Sequence, residues 1–311
     1  MAGARRIERV VLAGAGAVGA LYVPHLNDLG PGLLRVVAGG ERRARLLAEG
    51  LTVNGRRHDV RIVSPGEPAE PADLLLVAVK QHHLDRAIQD VRGVVGPETI
   101  VLSLLNGITS EEILARAFAT ENVLPAFVLG TDSVRDGTRS RHSTMGFVVF
   151  GARSNDPSDP RVLAVKELLD RARIPYRVSA DILREQWFKF MLNVGVNQVS
   201  ALLRAPYGAF GRVPEVRELT RRASLEVVAL SAKEGVALAE ADVDRMFPIL
   251  AGLGPDGKTS MLQDVEAGRK TEVEIFAGAV VELGRRHGIP TPVNEVFGRA
   301  IAALEGLAGA R

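Results

Sequence analysis

Apolar residues along the chain follow two different rhythms. In the first 150 residues they form short runs, RVVLAG (9–14), LLRVVAG (33–39), DLLLVAV (73–79) and TIVLSLL (99–105). These runs are too short for helices and lack the alternation of a half-exposed strand, so they read as strands buried on both faces of a parallel sheet. LTVNGRRHDVRIVS (51–64) alternates instead, and Asn54-Gly55 predicts a hairpin at the edge of that sheet or beside it. After FVVFG (147–151) a polar loop, a helix and a short strand carry the chain to about residue 178. From Asp181 onward the strand signals vanish. Long helical patterns replace them, as in PEVRELTRRASLEVVALSAKEG (214–235) and TEVEIFAGAVVELGRRHG (271–288). The expected architecture is α/β, with a parallel-sheet domain over 1–179 and an all-helical domain over 180–311, without repeats or a low-complexity linker.

RVVLAGAGAVGALYV (9–23) sets Gly14, Gly16 and Gly19 in a G-x-G-x-x-G pattern directly after a strand and at the start of a helix. In that setting the first glycine allows the tight turn and the second lets backbone approach a pyrophosphate. The third permits close helix packing. Ala15, Ala17 and Val18 complete the loop, and the strand-turn-helix context makes the first domain Rossmann-type. The same stretch, with its upstream arginines, imitates the start of a secretory leader. Glycines where such a leader would be leucine-rich argue against that reading.

About twenty residues further on, an acidic group would bind the ribose 2′-hydroxyl and a basic one a 2′-phosphate. The sequence there is VAGGERRARL, with Gly39 and Gly40 at the tip, then Glu41, Arg42, Arg43 and Arg45. The arginines favour NADP(H); a solvated basic first helical turn is the competing explanation. Lys80 and Asn106 follow the third and fourth strand signals. Ligands of open α/β sheets bind outside the carboxyl ends of strands, so both are placed to line the nicotinamide end. Either could equally cap the turn that follows. His82 and His83 read as surface or structural residues.

QWFKFMLNVGVNQVS (186–200) is apolar almost all the way round, yet Lys189, Asn193 and Asn197 recur at intervals of four. Each step of four drifts only about 40° on a helix, so the three form one polar ridge. Their neighbours Trp187, Phe188, Phe190, Met191, Leu192, Val194 and Val196 predict a largely buried helix. A buried ammonium and two buried carboxamides need partners. KTSMLQDVEAGRKTEVEIFAG (258–278), dense in hydrogen-bonding groups from Ser260 to Glu272, is the second polar constellation. Taken alone, Thr271 and Glu272 are explained as helix-start residues.

Composition narrows the chemistry. With 39 basic and 37 acidic residues the formal charge is only +2, which offers no footprint for nucleic acid. There is no cysteine, which removes disulfides and thiolate chemistry, and the six histidines show no zinc-binding spacing, so no metal is expected. No apolar stretch reaches the length of a membrane span, and no membrane partner is expected.

GAGAVG, LLLVAVK, LLNGI, RHSTMG, WFKFMLNVGVNQVSAL, SMLQDVEAGRKTEVE and HGIPTPVN together resemble the ketopantoate reductases, within the wider 6-phosphogluconate dehydrogenase-like group. The resemblance spans nearly the whole chain, and the helix and the SMLQDVEAGRKTEVE segment carry most of its specificity. It implies a cytoplasmic enzyme with a Rossmann domain and a helical domain, in which NADPH reduces 2-dehydropantoate, a small 2-oxoacid, to pantoate. A second copy of the chain is the candidate partner. Carried over residue by residue, Lys189 is implied as general acid. Asn106, Asn193, Asn197 and Ser260 are implied as substrate-positioning groups, Glu272 as an acid at the substrate and cofactor, and Lys80 as a lysine near the cofactor. One departure stands out. Family members commonly carry arginine at the end of the second strand, where this chain has Gly39, so the 2′-phosphate falls to Arg42 or Arg43.

The implied chemistry agrees with the residues. Hydride added to a ketone carbon leaves charge on oxygen, which a positioned ammonium stabilises and protonates. Asparagines donate to substrate oxygens without adding charge. A reductase for another branched 2-oxo or hydroxy acid is the alternative. A non-catalytic dinucleotide sensor is another, although it would not need Lys189, Asn193, Asn197, Ser260 and Glu272 together.

Overall fold

The computed structural model describes residues 5–309. The first four residues of the leader-like stretch therefore lie outside the described residues. Contacts divide the chain into two units, one of residues 1–105 and 110–182, the other of residues 106–109 and 183–311.

In the first unit a six-stranded sheet has the order β5-β2-β1-β6-β7-β8, and every neighbouring pair is parallel. Its strands are β1 (Val10–Ala13), β2 (Leu34–Val37), β5 (Arg61–Val63), β6 (Leu74–Val77), β7 (Ile100–Ser103) and β8 (Val123–Leu124). The four apolar runs are β1, β2, β6 and β7. Alternate residues of β1 enter two separate cores: Val10 and Leu12 pack with Leu34, Val36 and Leu76, whereas Val11 and Ala13 pack with Val37, Leu75 and Val101. Burial on both faces is what an uninterrupted apolar strand requires. Helices α1 (Ala17–Ala20), α2 (Val23–Asn27), α3 (Gly40–Glu49), α4 (Leu84–Val91), α5 (Ser110–Phe118) and α6 (Pro160–Ala172) belong to this unit.

Two smaller sheets complete it. β3 (Leu51–Val53) and β4 (Arg56–His58) form the expected hairpin, turning at Asn54 and Gly55 with φ of 48° and 83°. Positive φ at both positions is the reason for the Asn-Gly pair. A second hairpin, β10 (Val134–Asp136) and β11 (Arg139–Arg141), joins β3 to make a four-stranded sheet beside the main one. β9 (Ala126–Leu129), β12 (Phe147–Phe150) and β13 (Tyr176–Val178) form a three-stranded sheet.

The second unit consists, among the described residues, of helices and turns: α7 (Ile182–Leu203), which begins one residue before it, α8 (Ala209–Arg212), α9 (Pro214–Ser231), α10 (Glu240–Ala251), α11 (Ser260–Glu266), α12 (Ala277–His287) and α13 (Pro292–Gly309). Trp187, Phe190, Met191, Val194 and Val196 of α7 are all in its core. Gly195 lets α9 approach, since a Cβ there would stand 2.3 Å from Ser224 Oγ and 2.9 Å from Thr220 O. Buried Gln198 donates to Asn294 Oδ1 (2.9 Å), whose Nδ2 donates to Glu226 Oε2 (2.7 Å), joining α7, α13 and α9. One expectation is corrected. TEVEIFAGAVVELGRRHG is not one helix: residues 273–275 form a 3-10 turn, and α12 starts only after Phe276, at φ −105° and ψ −88°. Thr271 is held by Glu305, which accepts from both its N–H and its hydroxyl, and the fully buried Phe276 ring anchors the break.

Candidate active site

In the first unit the nucleotide-type loop is built from backbone. Gly14 has φ of 99°, and a Cβ on it would lie 2.6 Å from Ala78 O. A Cβ on Gly19 would lie 2.0 Å from Gly14 O. Gly16 differs: among the described residues beyond its chain neighbours, a Cβ there would meet only Ala78 O, at 3.8 Å, so the space a side chain would fill is open to an approaching ligand. Two glycines thus serve internal packing and the third keeps a cradle clear. Ala15 is buried, Ala17 and Val18 are half-buried, and Ser133 Oγ donates to Ala17 O (2.7 Å).

Beyond β2, Gly39 precedes α3, and a Cβ there would meet the Pro65 ring at 2.7 Å. Arg42 is half-buried in the first turn of α3, and its Nε and Nη2 are sealed from water without a hydrogen-bond partner. Burial and then the charge of Arg45 lower its pKa. Arg43 is exposed. Arg135, on the β10–β11 hairpin, is pulled down to about 10, first by burial and then by Arg42 and Arg45. Sequence reasoning passed over Arg135. Its signal was the Asp136-Gly137 pair between polar alternating residues, a hairpin signature that turns at Gly137 with φ of 55°. Lys80 is half-buried and starts the 3-10 turn Gln81–His83, whose His82 and His83 are exposed.

The second unit collects the other candidates. Asn106 follows β7 by three residues, yet it belongs to this unit. Gly107, at φ of 89°, turns the chain against Ile275, which a Cβ would approach to 3.4 Å. The Asn106 carboxamide accepts at Oδ1 from Lys189 Nζ (2.9 Å) and donates through Nδ2 to Glu272 Oε2 (3.0 Å). Its orientation follows, because an ammonium only donates and a carboxylate only accepts. Glu272 precedes the 3-10 turn at residues 273–275, so its carboxylate is aimed by the break that separates this segment from α12.

Asn193 and Asn197 extend the ridge from Lys189 along α7 and are 9% and 7% exposed. Neither carboxamide hydrogen-bonds another described side chain, and neither is sealed from solvent. Gly195 is on the opposite side of the helix, so one face packs on α9 while the other offers hydrogen bonds. Ser260 is exposed at the start of α11, where Thr259 Oγ1 accepts from Leu262 N–H (3.2 Å). No hydrogen bond among the described residues joins Ser260 to Lys189, Asn106 or Glu272. No group of three or more His, Asp or Glu among the described residues is arranged to hold a metal ion.

A parallel sheet with a glycine turn after its first strand, in one chain with a helical unit bearing a lysine–asparagine–glutamate chain, defines a two-unit Rossmann-type protein. Residues 10–155 match ketopantoate reductase PanE/ApbA, and residues 181–305 match its C-terminal region. The chain belongs to the ketopantoate reductase family. It is 30% identical over 290 residues to a 2-dehydropantoate 2-reductase of Halobacterium salinarum, covering 92% of this chain and 95% of the relative. A 2-dehydropantoate 2-reductase of Archaeoglobus fulgidus is 28% identical, with 96% and 99% covered. The crystal structure of 2-dehydropantoate 2-reductase from Geobacter metallireducens superposes with a TM-score of 0.82 at 27% identity, covering 95% of this chain and 99% of that one.

Proposed function

We propose that the protein is an NADPH-dependent reductase of 2-dehydropantoate, with Lys189 as general acid. The observation that carries the reading is the Lys189–Asn106–Glu272 hydrogen-bond chain beside two buried asparagines whose carboxamides have no internal partner. The two carboxamides reach solvent and carry no internal bond, so their donors and acceptors are available to a ligand beside the bonded lysine. The open space at Gly16 and the orphaned Arg42 guanidinium fit a dinucleotide, with Gly14, Gly16, Gly19 and the intervening residues Ala15, Ala17 and Val18 holding the pyrophosphate. Arg42 meets the ribose phosphate, and Lys80 is the second cation near the cofactor. Bound NADPH supplies the hydride.

Toward the substrate, Lys189 holds its proton at Nζ and gives it to the oxygen of the C2 carbonyl as charge develops there. Asn106 orients that ammonium. Asn193, Asn197 and Ser260 donate to the substrate's oxygens, and Glu272 accepts from its hydroxyl. The protein acts in the cytoplasm, with the small 2-oxoacid as its partner and two copies of the chain as the assembly.

The test is steady-state oxidation of NADPH with 2-dehydropantoate and with its deoxy analogue 3,3-dimethyl-2-oxobutanoate. A site that hydrogen-bonds a substrate hydroxyl rejects the analogue lacking it. The expected result is a higher kcat/KM for 2-dehydropantoate, a preference that Glu272→Ala largely erases. Equal kcat/KM for the two substrates in the wild type would show that another 2-oxoacid is the substrate.

A further inference from the structure

We infer that Arg135, on the β10–β11 hairpin, joins Arg42 and Arg45 of α3 in a subsite for the phosphomonoester of a 2′-phosphorylated dinucleotide. The inference rests on the dinucleotide reading above and deepens it by assigning a specificity-determining residue from a distant part of the chain.

The first support is steric. An arginine side chain at position 39 would drive its Cβ into the Pro65 ring at 2.7 Å, so the end of β2 in this chain has no room for a basic side chain. The second is electrostatic. Arg42 feels the charge of Arg45, Arg135 feels the charges of both, and among the described residues none of the three pairs with a carboxylate. Two Arg42 nitrogens are sealed from water with nothing to bond. Collecting like charges and stripping part of their water is unfavourable in the protein alone. A dianionic phosphate offsets both costs, because guanidinium forks bind its oxygens in pairs.

The third support is placement. β1 and β2 are adjacent, with Ala13 opposite Val37, so the glycine turn and α3 leave neighbouring strands. The β10–β11 hairpin spans both. Ser133, just before it, donates to Ala17 O in the glycine loop, and Thr138 Oγ1 at its turn donates to Glu49 Oε2 at the end of α3 (2.8 Å). Arg135 is between those anchors, and its Nε donates to Gly137 O (2.7 Å). That bond ties the guanidinium to its own turn and fixes its approach to α3.

Calorimetric titration of the full chain with adenosine 2′,5′-bisphosphate and with 5′-AMP reads the subsite without turnover. The wild type is expected to bind the bisphosphate at least about tenfold tighter, which is 1.4 kcal/mol. Arg135→Gln should remove most of that ratio while leaving 5′-AMP binding within about twofold. Arg45→Gln, which breaks no internal hydrogen bond, should reduce the ratio by a smaller factor and covers the case in which Arg135→Gln does not fold. A ratio that both variants leave unchanged, with both nucleotides still bound, overturns the inference and leaves the reductase reading standing. Wild-type protein that binds neither nucleotide overturns both. If inorganic phosphate alone raises Tm as much as the bisphosphate does, the cluster is a site for any anion and the inference fails. A wild type that keeps the ratio but oxidises NADPH with no 2-oxoacid refutes the reductase reading and supports the subsite.

Discussion

The two units prepare for ligands by opposite means. In the first, the glycine loop is a backbone feature: Gly14 and Gly19 are spent on internal contacts, Gly16 on an opening, and the nearby Arg42 guanidinium has two nitrogens without a hydrogen-bond partner among the described residues. In the second, side chains do the work, and three of them are already bonded to each other through Asn106. A backbone cradle is fixed by sterics and tolerates almost no added atoms. A side-chain ridge is fixed by hydrogen bonds and fails when a functional group is removed. Substitutions that add an atom should therefore be decisive in one unit, and substitutions that delete a group in the other.

The largest effect expected is at Lys189. Lys189→Ala should lower kcat by roughly 10²- to 10⁴-fold with cofactor binding nearly intact, or about 3–5 kcal/mol of barrier. A kcat within a few-fold of wild type would make Lys189 a structural residue and dissolve the contrast. Next comes Asn106→Ala, which deletes the link between an ammonium and a carboxylate. Hydrogen bonds to charged groups contribute about 1.5–3 kcal/mol, so kcat/KM should fall by one to two orders of magnitude. NADPH titration by fluorescence reads the first unit separately and should be unchanged.

In the first unit the pair Gly19→Ala and Gly16→Ala separates packing from binding. The former puts a Cβ 2.0 Å from a carbonyl oxygen and should destabilise by about 1–3 kcal/mol or more, visible as a lower urea midpoint. The latter should leave the midpoint near that of wild type and weaken the dinucleotide. If both variants merely unfold, the cradle at Gly16 is no different from its neighbours. The smallest effect belongs to Gly195→Ala on the far side of α7. Its Cβ would press on Ser224 and Thr220, so a loss of about 1 kcal/mol in thermal stability is expected with KM unchanged. A raised KM would mean that the packed face and the ridge are not independent.

Much of this was legible in the residues. Uninterrupted apolar runs mark strands buried on both faces, and the cores on either side of β1 show why: alternate residues each need an apolar partner. Period-four polar residues in an apolar helix mark a ridge because helical geometry is local and survives in any context. The Asn54-Gly55 turn was equally local. By contrast, the break at Phe276 contradicted a clean helical pattern, since Thr271 is held by Glu305, a residue 34 positions away.

What the sequence determined by itself was thus the periodic part: the parallel sheet, the glycine turn, the helical second half and the polar ridge of α7. Tertiary structure alone decided that Asn106, at the end of a strand of the first unit, belongs to the second and bonds Lys189 and Glu272. It also decided that Arg135 comes within the electrostatic reach of Arg42 and Arg45, and that Pro65 fills the space beside Gly39. The reason is one of range. Periodicity is written within a few residues by backbone geometry, whereas these contacts join positions separated by 26 to 166 residues and exist only once the chain has packed.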